Sequence, residues 1–136
     1  MKREGELKSL FGKELKRQLP GFLTLAYLTN GAPDRSIVGA AKQSNWEMKH
    51  ATPDFKSPGD QELMCCRLAV AAHCRYVIWE EKNGILRTLI VHPQHVIRKG
   101  APSIAHSSVG LIAEVWCIGF DMNWLVKHVR KVHYGV

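Results

Sequence analysis

The strongest constraint on the fold lies in residues 46–49, where apolar and charged side chains alternate. Successive side chains of a β-strand point to opposite faces of its sheet. As a strand, this stretch puts Trp46 and Met48 on one face and Glu47 and Lys49 on the other. Because the apolar face belongs against a core, an acid and a base must lie side by side on the opposite, partly enclosed face.

A second acid, Asp34, stands thirteen positions before Glu47. The residues between them fit a short strand at 36–38, a turn at 39–41 and a return strand, and such a hairpin brings Asp34 back towards Glu47. Converging carboxylates repel each other unless one takes up a proton or a cation binds. Mg²⁺ is commonly held by one or two carboxylates. The pair therefore indicates a site for Mg²⁺ or Mn²⁺.

We expect Asp34, Glu47 and the main-chain carbonyl of Met48 to bind the ion. A metal ion of this kind can activate a water and stabilise the charge that builds at phosphorus. Lys49 would orient that water or neutralise the charge. These residues predict phosphodiester chemistry.

The same residues resemble a known family. Pro33 and Asp34, followed by Glu47, Met48 and Lys49, resemble the PD-(D/E)XK nuclease signature. The surroundings resemble its VRR-NUC branch, known from phage nucleases and a eukaryotic crosslink-repair nuclease. The matching pieces are residues 31–34, 46–49 and 57–61, within a resemblance that covers roughly residues 4–95.

This resemblance implies an α/β fold, a restriction-endonuclease-like sandwich with a mixed central β-sheet flanked by helices. It also implies a divalent-metal-dependent endonuclease that hydrolyses DNA, with branched DNA among its substrates. The chain departs from the pattern at Arg35, where relatives usually carry an aliphatic residue, and at His50, where a small residue is common. We expect the Arg35 side chain to lie near the nucleic acid. His50 either contacts a phosphate of the nucleic acid or has a structural role.

Two polar residues lie on predicted apolar helix faces. On a helix over residues 4–19, Glu4 falls within about 20° of Phe11 and Leu15 on the helical wheel. It is either a solvated acid at the helix N-terminus or, as the resemblance implies, a part of the metal site. A second helix is predicted from residue 57 to about residue 73, and Gln61 lies on its apolar stripe. Its amide either makes a hydrogen bond at the end of the helix or lies near Lys49 or the attacking water.

The remaining elements complete an order of helix, three strands, helix and two strands, which favours an α/β sandwich. We predict strands at 22–28, 75–79 and 86–91, the last two as a hairpin, and a final helix over 124–133 capped by Asp121. No linker or repeat interrupts the chain. We therefore expect one nuclease domain over residues 1–136, with a core at roughly 4–95 and a C-terminal addition at 96–136.

The net charge of +7 favours a polyanionic partner, here DNA. On the final helix, Lys127, Arg130 and Lys131 form either a solvated face or a nucleic-acid contact. A nuclease with one site cuts both strands of a duplex most simply as a two-fold homodimer, and residues 109–120 and 124–125 could supply the interface.

We expect no membrane partner and a cytoplasmic location, since the chain has no apolar run long enough to span a membrane and no signal peptide. We also expect reduced cysteines.

Two alternatives remain open. One is a non-catalytic module that binds nucleic acid or protein on a nuclease fold, although it would have no need for Asp34, Glu47 and Lys49. The other is a nuclease directed at RNA, because no residue pattern in the chain separates RNA from DNA.

Overall fold

The computed structural model describes residues 4–26, 33–51, 65, 67–82, 84–93 and 113–135. Within these ranges one helix precedes six strands and a second helix follows them. The elements are α1 (Glu4–Gln18), β1 (Leu23–Leu25), β2 (Arg35–Gly39), β3 (Lys42–Ala51), β4 (His73–Lys82), β5 (Ile85–Val91), β6 (Val115–Ile118) and α2 (Met122–Tyr134). Residues 67–71, just before β4, are also helical.

The six strands form one mixed sheet in the order β1-β2-β3-β4-β5-β6. Only β3 and β4 run parallel, and every other neighbouring pair is antiparallel. Helices α1 and α2 pack on one face, with Trp46, Met48 and Trp79 in the shared core. Leu68 and Ala69 of the helical stretch pack against the core of the other face. The predicted α/β fold with a mixed sheet flanked by helices is therefore confirmed.

Local sequence explains the first elements. Leu7, Phe11 and Leu15 recur at helical spacing and are buried along α1. The hairpin between β2 and β3 turns at Ala40 and Ala41, which both have positive φ, as a two-residue primed turn requires. The predicted helix at 4–19 and turn at 39–41 are confirmed.

Three elements differ from the prediction, namely the helix before β4 and the strands β1 and β6. The helix expected to reach about residue 73 ends at Ala71, because His73 already pairs with Ser44 at the start of β4. The predicted strand at 22–28 is described as strand only over Leu23–Leu25. Strand β6 was not predicted, since glycines flank its short apolar run. It forms one edge of the sheet, beside β5.

The final helix begins where the sequence predicts its cap. The side chain of Asp121 accepts a hydrogen bond from the backbone N–H of Trp124 at 2.9 Å. Leu125, Val126 and Val129 then pack into the same core as α1. The C-terminal residues 113–135 thus contribute both an edge strand and a core helix.

A buried histidine ties α2 to the hairpin. Nε2 of His133 lies 2.7 Å from the Ser44 hydroxyl, and Nδ1 lies 2.9 Å from the carbonyl oxygen of Gly39. Because a carbonyl only accepts, Nδ1 must carry a proton. Gly39 also has no room for a side chain, since a Cβ there would lie 2.5 Å from the Phe22 ring.

Two simple sequence expectations concern membranes and thiols. None of the helices in the described ranges has the length and apolar character needed to cross a membrane. Among the described cysteines, Cys65, Cys74 and Cys117 are free thiols.

Candidate active site

Asp34 and Glu47 meet where the pairing of β2 with β3 ends, at Arg35 opposite Trp46. The backbone N–H of Asp34 donates to Oε1 of Glu47 at 2.9 Å. In return, Oδ2 of Asp34 accepts a hydrogen bond from the backbone N–H of Met48 at 2.8 Å. These reciprocal bonds extend the ladder by one step through side chains. They hold the two carboxylates next to each other, as the hairpin spacing predicted.

Two lysines neutralise this carboxylate pair. Nζ of Lys49 lies 3.1 Å from Oε2 of Glu47. Nζ of Lys8, on α1, lies 2.9 Å from Oδ1 of Asp34. The sequence reasoning found Lys49 but missed Lys8. The only available signal was the position of Lys8 one helical turn after Glu4, on the same side of α1.

Burial sets the protonation of Glu47. Its side chain is only 1% exposed, and this desolvation raises its pKa from an ordinary 4.5 to about 7. The negative charge of Asp34 raises the pKa further, whereas Lys49 lowers it. At neutral pH the residue is therefore divided between its acid and its carboxylate. Additional positive charge at this point would favour the carboxylate.

The backbone of Met48 also faces the pair. Within a strand, the N–H and C=O of one residue point to the same side, which is why paired residues exchange both bonds. The Met48 N–H donates to Asp34. Its carbonyl oxygen is therefore directed to the side of β3 where Asp34 lies.

This donor set fits a hard divalent cation. It offers carboxylate oxygens from Asp34 and Glu47 and a backbone carbonyl from Met48, and oxygen is the donor that Mg²⁺ and Mn²⁺ prefer. Within the described ranges, no group of three or more His, Cys, Asp or Glu side chains is placed to hold a metal. Mg²⁺ does not require one, because waters and substrate oxygens complete its coordination shell.

Two of the predicted site residues cannot be placed beside the pair. Gln61 lies outside the described residues. Glu4 is the first residue of α1, one turn before Lys8, and its side chain is outside the described part. Both assignments stay predictions.

Arg35 and His50, two of the predicted nucleic-acid contacts, differ in their relation to the carboxylates. Arg35 directly follows Asp34, whose negative charge acts on its guanidinium. The Arg35 guanidinium is 6.0 Å from the centroid of the Phe11 ring, and burial lowers its pKa. His50 alternates with Lys49 and therefore lies on the face of β3 that carries Met48. Its buried Nε2 has no hydrogen-bond partner within the described structure. The structure thus packs Arg35 against α1 and places His50 across the strand from Glu47.

The basic residues of α2 are exposed. Lys127, Arg130 and Lys131 lie on the side of the helix opposite its buried residues. Since α2 packs on the sheet face of Trp46 and Met48, these side chains are across the sheet from Glu47. The structure does not bring them together with the carboxylate pair.

Comparison with known proteins gives a fold-level similarity. No protein-family model matches this chain, and no curated protein sequence does either. Among solved structures, the chain is similar to Hjc, a Holliday junction resolvase from the archaeal hyperthermophile Archaeoglobus fulgidus. The sequence identity is 16% and the TM-score is 0.47. The match covers 76% of this chain and 92% of the resolvase chain.

Proposed function

We propose that the protein is a divalent-metal-dependent endonuclease that hydrolyses DNA phosphodiester bonds, with branched DNA as its substrate class. The observation that carries this proposal is the interlocked pair of Asp34 and Glu47 with the Lys49 ammonium 3.1 Å from Glu47. The preference for branched DNA rests on the sequence resemblance alone.

Each residue has a role that follows from its contacts. Asp34, Glu47 and the Met48 carbonyl would hold Mg²⁺ or Mn²⁺, which when bound polarises a phosphoryl oxygen and lowers the pKa of a bound water. The hydrogen bonds that link Asp34 to Glu47 and Met48 fix both carboxylates before substrate arrives, so little reorganisation is needed. Lys49 holds its ammonium at the edge of the pair, where it orients water or neutralises charge at phosphorus.

Burial of Glu47 argues for chemistry over a purely structural or binding role. Removing a carboxylate from water destabilises a fold, and an apolar side chain at the same position would not carry that penalty. A module that only binds nucleic acid needs basic surface, which exposed residues such as Lys127, Arg130 and Lys131 supply. We propose that these three residues contact phosphates of DNA that extends beyond the site.

The proposal is tested by cleavage of labelled linear, flapped and four-way DNA with Mg²⁺, Mn²⁺ or EDTA, with an RNA duplex alongside. We expect metal-dependent cleavage of DNA that EDTA abolishes. In the double variant Asp34→Ala/Glu47→Ala, both cleavage and the Mn²⁺ binding measured by calorimetry should be lost. The matched control is Glu6→Ala/Glu81→Ala, which removes two exposed acids. Unchanged Mn²⁺ binding in Asp34→Ala/Glu47→Ala would overturn the assignment of the metal site. Cleavage of RNA but not of DNA would overturn the assignment of DNA as the substrate.

We further propose that the enzyme acts as a two-fold dimer. Trp116 and Ile118 on the edge strand β6 are 49% and 70% exposed and offer an apolar surface. Leu125, which the sequence placed in the interface, is instead buried in the core. Light scattering should show a dimer, and Trp116→Glu/Ile118→Glu should give a monomer. Leu23→Glu/Leu25→Glu on the opposite edge is the matched control. A monomeric wild type, with and without DNA, would rule the dimer out.

A further inference from the structure

We infer that Lys8 is a built-in counter-ion of the carboxylate pair, which a divalent cation displaces and which then serves a phosphate of the substrate. This inference rests on the proposed function. Lys8 reaches the pair from α1, and its ammonium lies 2.9 Å from Oδ1 of Asp34. In the sequence, its position one helical turn after Glu4 is the only sign that it belongs to the site.

The backbone that carries Lys8 is fixed, whereas its side chain is able to move. Leu7 and Phe11, on either side of it in α1, are fully buried in the core. The Lys8 side chain itself is 33% exposed, compared with 13% for Lys49. A lysine ammonium sits on a flexible four-carbon stem. Lys8 can therefore leave Asp34 without any shift of the helix, and it is the more solvated of the two lysines.

The contacts of Asp34 show which bond would be exchanged. Oδ2 is bound to the Met48 N–H and forms part of the link between β2 and β3. Oδ1 is bound to Lys8. A divalent cation beside Asp34 and Glu47 would stand close to this ammonium, and like charges at such distances repel each other strongly. The ion and Lys8 must therefore compete for Asp34.

This competition couples metal binding to substrate binding. Without nucleic acid, Lys8 lowers the affinity of the site for the metal. A phosphate that takes up the Lys8 ammonium removes the competitor, so the metal binds more tightly. By reciprocity, the metal also strengthens nucleic-acid binding by the same factor. The structure thus assigns to Lys8 a function in making the metal and the nucleic acid each favour the binding of the other.

The test compares Lys8→Met and Lys8→Gln with Lys16→Met, which removes the same charge from an exposed position on the same helix. Calorimetry with Mn²⁺ alone gives the metal affinity, and circular dichroism confirms the fold of each variant. We expect the Lys8 variants to bind Mn²⁺ more tightly, by a factor on the order of ten. The effect of DNA is measured in the Lys49→Ala background, because this variant should cleave the DNA only slowly. Four-way DNA should tighten Mn²⁺ binding in Lys49→Ala, and this enhancement should be smaller in Lys49→Ala/Lys8→Met.

Three outcomes are distinguishable. Weaker Mn²⁺ binding in the Lys8 variants would mean that Lys8 only positions Asp34, and it would overturn the inference. Affinity equal to that of Lys16→Met would also overturn it. If the wild-type protein shows no Mn²⁺ binding that depends on Asp34 and Glu47, the proposed function itself fails.

Discussion

In Lys49→Ala, the rate of DNA cleavage is expected to fall by about 10³-fold while the affinity for DNA changes little. A positioned group that transfers a proton or stabilises developing charge typically contributes about 10²- to 10⁴-fold. Lys49 makes its contact with Glu47 inside the site, where its side chain is only 13% exposed. It therefore has little surface with which to bind the duplex in general. Single-turnover cleavage and equilibrium DNA binding separate the two quantities.

The assay is best run at about pH 9. Lys49 lowers the pKa of Glu47, so its removal lets a proton compete more strongly with the metal at neutral pH. High pH removes that secondary effect. Lys42→Ala, which deletes an exposed lysine from the same strand, is the matched control. A parallel loss of DNA affinity and cleavage would make Lys49 an ordinary phosphate contact.

The second large effect concerns stability. At about pH 8 and without divalent metal, Glu47→Gln is expected to raise the free energy of unfolding by up to roughly 3 kcal/mol, because each pKa unit corresponds to about 1.4 kcal/mol. Burial raises the pKa of Glu47 from 4.5 to about 7 in the folded protein. The folded state therefore binds the proton more tightly than the unfolded state. Glutamine resembles the neutral acid and avoids the cost of burying the charge.

The pH dependence has a definite sign. A folded-state pKa above the unfolded value means that wild-type stability falls as pH rises from about 4.5 to about 7. The full destabilisation from burying the Glu47 charge is present above that pH window and absent below it. The advantage of Glu47→Gln should therefore shrink as the pH falls and disappear near pH 4.5. Urea unfolding across this range measures it, with the exposed Glu81→Gln as the matched control.

Metal binding should reverse the order of stability of the wild type and Glu47→Gln. Mn²⁺ stabilises the folded state only where it binds, so it should raise the unfolding temperature of the wild type and not that of Glu47→Gln. A Glu47→Gln variant that is less stable than the wild type at about pH 8 would contradict the argument. In that case the bonds of the carboxylate to Lys49 and Asp34 would outweigh its desolvation.

The sequence by itself determined the local geometry around the site. Alternation in residues 46–49 assigned Glu47 and Lys49 to one face of β3, because side-chain direction in a strand depends only on position. The spacing from Asp34 predicted the hairpin that brings the two acids together. Asp121 likewise marked the start of α2, since a cap acts within one helical turn. These features depend on residues close together in the chain.

The tertiary structure decided what depends on contacts between distant segments. Lys8 joins the site because α1 packs against the sheet, and its partner Asp34 is far along the chain. Packing placed Arg35 against Phe11, and it buried Leu125 in the core shared with α1. The pKa of Glu47 depends on how completely neighbouring elements exclude water from it. Periodicity specifies the face of an element, whereas only the packing of elements specifies what that face meets.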